Sequence, residues 1–322
     1  MGMENFWITF EAVAKMLTFA APAFLLMRFK KFNETSISAF VTLLLFVGQP
    51  CLTVYSFQKA TQLVKLGVIS GRDMLVRGLW AFFLALALQC ALLGVAYLIM
   101  RRKQEKAQNR IFVIAATFGN SGFFGVPILE AVMGDTHPDV VMVSALYSLV
   151  MNMLCWTVVS AIITRDSKYI SLKKIIVNPN TIAGIIAITL MAFTVVLPEP
   201  VNAIISQLGN FSTPLCMFIL GMRLALVEGK ELFGDLKQYL VVLCKNFAYP
   251  LLAFGVLYFV PAELYIKQAL FIICCCPVAN MVLSFAELLG KGQKTAANVV
   301  LLSTISSLVT LPVMCLMLPL MA

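Results

Sequence analysis

The chain has 322 residues, of which 61% are hydrophobic and only 12% charged, and its mean hydropathy is +0.94. About a quarter of the residues of a soluble domain are charged, so a soluble enzyme or binding module is excluded and the sequence reads as a polytopic membrane protein. The net charge of +9 does not point to nucleic acid, because the basic residues fall in short clusters between apolar runs with no extended basic arm.

The start, Met1-Gly2-Met3-Glu4-Asn5, has no basic stretch ahead of its first apolar run, so a cleaved signal peptide is not expected. Crossing about 30 Å of hydrocarbon takes roughly 20 helical residues. Spans of that kind are predicted at residues 6–28, 35–57, 75–100, 110–133 and 139–163, and again at 178–197, 201–226, 237–260, 265–289 and 295–319. Span 1 contains Glu11 and Lys15 at a spacing of four, acid first, which favours a neutralising pair on one helix face.

Two spans are interrupted near their middles: span 4 by Gly119-Asn120-Ser121-Gly122-Phe123-Phe124-Gly125-Val126-Pro127, and span 9 by Cys276-Pro277-Val278-Ala279-Asn280. Asn120 and Asn280 are 160 residues apart, close to half the chain. Prolines repeat the pattern, with Gln49-Pro50-Cys51-Leu52 in span 2 and Thr213-Pro214-Leu215-Cys216 in span 7, 164 residues apart. The loops after the odd-numbered spans hold 17 Lys and Arg and the opposite loops hold 5. By the positive-inside rule the first set is cytoplasmic and both termini are outside. A five-span half followed by another of its kind must be inverted relative to it. The predicted fold is therefore all-α, with ten transmembrane helices in two inverted five-helix repeats, residues 1–165 and 166–322, joined at the basic stretch 165–174.

A broken helix at membrane depth is tolerated only where it is buried in protein or lines a cavity, and paired breaks point to a transporter's binding site. The glycines 119, 122 and 125 allow close backbone approach, and Pro127 suits the first turn of a second half-helix whose free N–H groups attract an anion. Asn120 and Asn280, with Ser121, Gly122, Pro127 and Pro277 around them, are the candidate substrate contacts; the alternative is that both asparagines only cap broken helices, and the two roles are not exclusive. Lys245, eight residues into span 8, is either an attractor for an anion or a side chain snorkelling to the cytoplasmic interface. Asn152 in span 5, with Tyr147 and Ser148, and the hydroxyls of span 10 either face the breaks or tie helices together. Glu130 and Glu287, 157 apart, are interfacial or serve proton or cation coupling. The nine cysteines all lie in apolar runs without Cys-x-x-Cys or a neighbouring histidine, so neither disulfides nor a metal site are expected.

These residues resemble the auxin efflux carrier family of transporters, which in bacteria includes malate and malonate permease-like members. The matching stretches are Phe118-Gly119-Asn120-Ser121-Gly122-Phe123 through Gly125-Val126-Pro127, Tyr147 with Asn152 and Trp156, and Asn178-Pro179. They continue with Ser212-Thr213-Pro214-Leu215 and Gly221, Pro277 with Ala286 and Glu287, and Leu302-Ser303-Thr304 through Leu311-Pro312. The resemblance covers essentially the whole chain. It implies a fold of the bile-acid-sodium-symporter type in which spans 4 and 9 cross at their breaks, spans 1, 2, 6 and 7 form a scaffold, and the others move as a transport unit. It also implies that crossover asparagines contact a substrate carboxylate. The match around Pro277 is looser than that around Asn120, and the long central loop of many plant members is missing.

The function expected is secondary transport of a small organic anion, a carboxylate such as malate or malonate, by alternating access in the plasma (cell inner) membrane. Alternatives are export of a larger or aromatic, auxin-like amphipathic anion, and a channel or sensor that kept the fold. An intramembrane enzyme would need a nucleophile with its base, an acidic pair or a metal triad, and no in-span His or deep Asp exists to build one. No nucleotide-binding motif or cofactor is expected, and the coupling ion, H+ or Na+, stays open. Expected partners are the anion and the lipid bilayer; a homodimer is allowed.

Overall fold

A computed structural model describes residues 2–101, 107–165, 172–227, 232, 234–290 and 292–321. Segments 102–106 and 166–171, and with them most of the expected join between the halves, lie outside the described residues. The described chain is nearly all helical. Twelve helices carry the fold: α1 (Gly2–Arg28), α2 (Glu34–Lys65), α3 (Gly71–Met100), α4 (Ala107–Thr117), α5 (Ser121–Met133), α6 (Val140–Thr164), α7 (Pro179–Ala192), α8 (Glu199–Leu226), α9 (Leu236–Tyr258), α10 (Leu264–Cys275), α11 (Met281–Leu289) and α12 (Gln293–Cys315). Seven of them, α1, α2, α3, α6, α8, α9 and α12, are long and apolar enough to cross a membrane.

Sequence chemistry explains the helix ends. Asn33 accepts from the Ser36 N–H and Ser36 answers to the Asn33 N–H, a capping box that starts α2. Ser70 caps α3 through the Asp73 N–H, and Asn178 caps α7 with Pro179 in its first turn. α2 runs beyond the expected end at residue 57 because its polar tail is satisfied inside the protein. Gln58 donates to the Val195 carbonyl (3.2 Å) and accepts from the Leu197 N–H (2.9 Å). Those contacts also hold the extended segment after α7, which ends at Ala192 rather than 197.

Four helices contain a π-helical turn: Leu44–Gly48 in α2, Ser121–Gly125 in α5, Cys155–Val159 in α6 and Cys244–Ala248 in α9. Three of these are followed at once by a proline in the next turn, Pro50, Pro127 and Pro250. A proline cannot donate to the preceding turn, and widening that turn absorbs the mismatch.

Burial divides the helices by role. α6 is buried along Val140–Asn152 without a break, and α10 and much of α12 are enclosed likewise. A helix that is apolar on every side belongs in the interior. α1, α2, α3 and α8 present faces of exposed Phe, Leu, Ile and Trp, among them Phe46, Trp80, Phe83 and Phe211, as a surface made for lipid requires. α8 packs on α2 and on the second half of α1, α7 packs on α2, and the first half of α1 lies against α12. Small residues set the closest approach: a Cβ on Gly221 of α8 would run into the Ala20 carbonyl of α1. At one end of the molecule Arg77 grips Glu263 through Nε (2.9 Å) and Nη2 (2.8 Å), joining α3 to the start of α10.

The packing of Gly221 is testable. Gly221→Ala forces α1 and α8 apart and costs about 1–3 kcal/mol, the usual range for overpacking. Its melting temperature in detergent falls by several degrees, whereas Gly94→Ala, with open space around the new methyl, leaves it unchanged.

Candidate functional site

The two interruptions meet. Gly119 and Val278 pair as an antiparallel bridge, the Asn120 N–H donates to the Pro277 carbonyl (2.7 Å), and the Ala279 N–H donates to the Phe118 carbonyl (2.9 Å). Each break thus supplies what the other lost. A Cβ at Gly119 would lie 3.2 Å from the carbonyl oxygens of Cys276 and Ile273 and from the Lys245 ammonium, so glycine is what lets the strands approach.

The remaining backbone groups are satisfied by side chains from the buried helices. The Val278 N–H donates to Ser303 Oγ (2.9 Å), which donates to Asn246 Oδ1 (2.9 Å). Asn246 Nδ2 reaches the Ser303 carbonyl, Ser306 Oγ and Thr310 Oγ1 at 2.9–3.2 Å. On the other break, Ser144 Oγ donates to the Ser121 carbonyl (2.8 Å), Ser121 Oγ shares a hydrogen bond with Ser148 Oγ (2.8 Å), and Thr213 Oγ1 donates to the Phe123 carbonyl (3.0 Å).

Beside this bridge lies a cavity of about 670 Å³, within the range of small-molecule sites. Four of the expected contacts line it: Asn120, Gly122, Asn152 and Asn280. Gln49, Ser148, Asn178 and Ser284 add polar groups, Phe46 and Trp156 add aromatic faces, and Arg223 and Lys173 are its cations. Asn120 and Asn280 both turn their amide nitrogens to Cys216 Sγ, at 3.7 and 3.1 Å. Asn152 donates to the Ser148 carbonyl (3.1 Å).

The other expected residues stand off the cavity wall. Ser121 is buried in the π turn behind it, Pro127 opens the helical part of α5, and Pro277 serves through its carbonyl. Lys245 has no exposed surface: its ammonium donates to the Cys274 carbonyl (2.8 Å) and lies 4.4 Å from the centre of the Tyr249 ring. It caps the carbonyl end of α10, where a helix dipole favours a cation. It neither snorkels nor reaches the cavity. Glu130 of α5 pairs with Lys59 of α2 (2.6 Å) and accepts from Tyr55 Oη (3.1 Å). Glu287 of α11 pairs with Arg223 of α8 (3.5 Å). Glu11 and Lys15 form the expected pair at 2.6 Å, and all nine cysteines are free.

Arg223, Cys216 and the Asn246 hub carry more of the site than their sequence contexts suggest. Arg223 reads as one of the loop charges, and Cys216 as apolar filling. The available signal was spacing: Thr213, Cys216, Ile219 and Arg223 recur every three or four residues, one face of α8.

Apolar helices around a paired interruption, with a largely apolar cavity that carries a few polar groups beside it, fit a polytopic membrane transporter. The family model described as "Membrane transport protein" matches residues 8–172 and 163–315, and the chain belongs to that family, which is auxin efflux carrier-like. No curated protein matches the chain.

The role of Lys245 is open to measurement. Lys245→Met keeps the length of the side chain but leaves the Cys274 carbonyl and the carbonyl end of α10 unpaired. Because those main-chain groups stay buried, stability drops by about 1–3 kcal/mol, read as a lower melting temperature of the purified protein.

Proposed function

We propose that the protein is a secondary transporter of small organic anions, carboxylates such as malate or malonate, working by alternating access around the paired breaks. The observation that carries this reading is the convergence of the Asn120 and Asn280 amides at a cavity whose charged wall residues are Arg223 and Lys173. Amide donors and cations are what a carboxylate needs, and the apolar remainder of the wall excludes water from it.

In this reading ten spans cross the membrane as two inverted five-helix repeats. α4 with α5, and α10 with α11, are the two broken spans, and they cross at the Gly119–Val278 bridge. The repeat is supported by the ion pairs as well as the breaks. Lys59 stands nine residues beyond Pro50 and Arg223 nine beyond Pro214, and each binds a glutamate on the second half of a broken span. α1, α2, α7 and α8 form the scaffold, and the rest move against it. Both termini are outside the plasma membrane, which puts Arg223 and Lys173 at a cytoplasmic mouth and Lys59–Glu130 at the outer, closed side. The two pairs act as latches between scaffold and moving unit. Proton uptake by either glutamate, or its exchange for Na+, would act through these same contacts.

Counterflow in liposomes tests the function. Preloaded malate or malonate is expected to drive saturable uptake of the labelled anion, and Asn120→Ala to slow it about tenfold or more, the loss of one charged hydrogen bond of about 1.5–3 kcal/mol. A folded Asn120→Ala protein as fast as wild type sinks the site assignment, and uptake that ignores preloading indicates a channel. For the outer latch, Glu130→Lys lowers exchange severalfold, and adding Lys59→Glu restores part of it. Equal rates in single and double variants would show that the pair does not gate movement.

A further inference from the structure

Cys216 occupies an unusual place. It is fully buried on α8, two residues past Pro214, on the helix face that also brings Ile219 and Arg223 to the cavity. Both Asn120 and Asn280, one from each break, carry their amide NH2 to this one sulfur, at 3.7 and 3.1 Å. A thiol sulfur is a weak acceptor, so two good donors at the edge of the cavity are held by contacts that repay little of their desolvation.

We propose that Cys216 is the placeholder acceptor of the site: its sulfur keeps both asparagine amides aimed at one point, and a carboxylate of the transported anion takes them from it. The inference rests on the carboxylate reading of the site. A carboxylate presents two anionic oxygens, one for each amide, and hydrogen bonds to a charged acceptor are about twice as strong as neutral ones. The exchange is therefore downhill for a carboxylate and less so for an uncharged hydroxyl or carbonyl ligand, which makes Cys216 a specificity-setting residue without requiring it to touch the cargo. Because α8 and the two breaks are separate elements joined here by the sulfur, occupancy also loosens a contact between them. Cys216 is a positioning residue in this scheme, and its effect runs through Asn120 and Asn280.

The experiment uses the full-length purified protein and malonate as the probe. Cys216→Ala removes the competing acceptor, so malonate is expected to bind severalfold more tightly than to wild type. In an Asn280→Ala background, where only the longer Asn120 contact remains, the same substitution is expected to tighten binding clearly less. Weaker or unchanged binding in a folded Cys216→Ala protein, or an equal shift in both backgrounds, overturns the proposal. A second measurement needs no ligand: thermal unfolding of wild type, Cys216→Ala, Asn280→Ala and the double variant. The two substitutions are expected to be non-additive, and additivity overturns the sulfur contact. If wild type fails to bind malonate while the unfolding cycle is non-additive, the carboxylate reading fails and takes the displacement step with it, leaving the contact established.

Discussion

Backbone groups in the two interrupted segments must find partners inside the protein, since an apolar surrounding supplies none. That requirement organises the centre of the molecule. Phe118–Asn120 and Pro277–Ala279 answer one another with two main-chain hydrogen bonds, and what they leave over is taken up by Ser303, Ser144 and Lys245. Each of these side chains needs support of its own, which is why α6, α9 and α12 carry buried polar residues that would otherwise be costly. Asn246 holds Ser303, Ser148 holds Ser121, and Tyr249 shares a hydrogen bond with Tyr147 at 2.8 Å.

The same requirement separates two kinds of positive charge. Lys245 is committed to the Cys274 carbonyl and an aromatic face, and it has no ion pair among the described residues. Its free energy is tied to the broken end of α10 rather than to a ligand. Arg223 and Lys173 sit where an anion could meet them, at the side of the cavity. An ammonium held by neutral dipoles stabilises the break without cancelling the field of the cavity, whereas a carboxylate in its place would repel an anionic guest. A fixed cation behind the bridge and two cations on the cavity wall are the arrangement that the proposed carriage of an anion requires.

The helices were largely legible because long apolar runs are a strong signal, and each stretch predicted as a span carries helix, whole or broken. Boundaries moved where polar side chains found partners far away in sequence, as Gln58 does beside Val195 and Leu197. The breaks were legible from Gly119, Pro127 and Pro277, which act locally. Lys245 was not, because its partner Cys274 is 29 residues away and its carbonyl is free only once α10 ends there. Arg223 and Cys216 were missed for a related reason. Composition places one among loop charges and the other among apolar filling, and only the docking of α8 against both breaks turns that face into a wall of the site.

Symmetry in the chain extends further than symmetry in the chemistry. Lys59–Glu130 is a 2.6 Å pair with both side chains 29% exposed, while Arg223–Glu287 is stretched to 3.5 Å with its glutamate 51% exposed. The two contacts thus differ in tightness, and the looser one belongs to the side where the cavity lies. In the alternating-access cycle proposed above, closing this side would shorten the Arg223 pair, and opening the other would lengthen the Lys59 pair. Such an exchange would leave one tight pair and one loose one in each state, so the two states would lie close in energy. A small difference in binding energy, such as the proposed trade of a thiol for a carboxylate by two amides, would then be large enough to tip it.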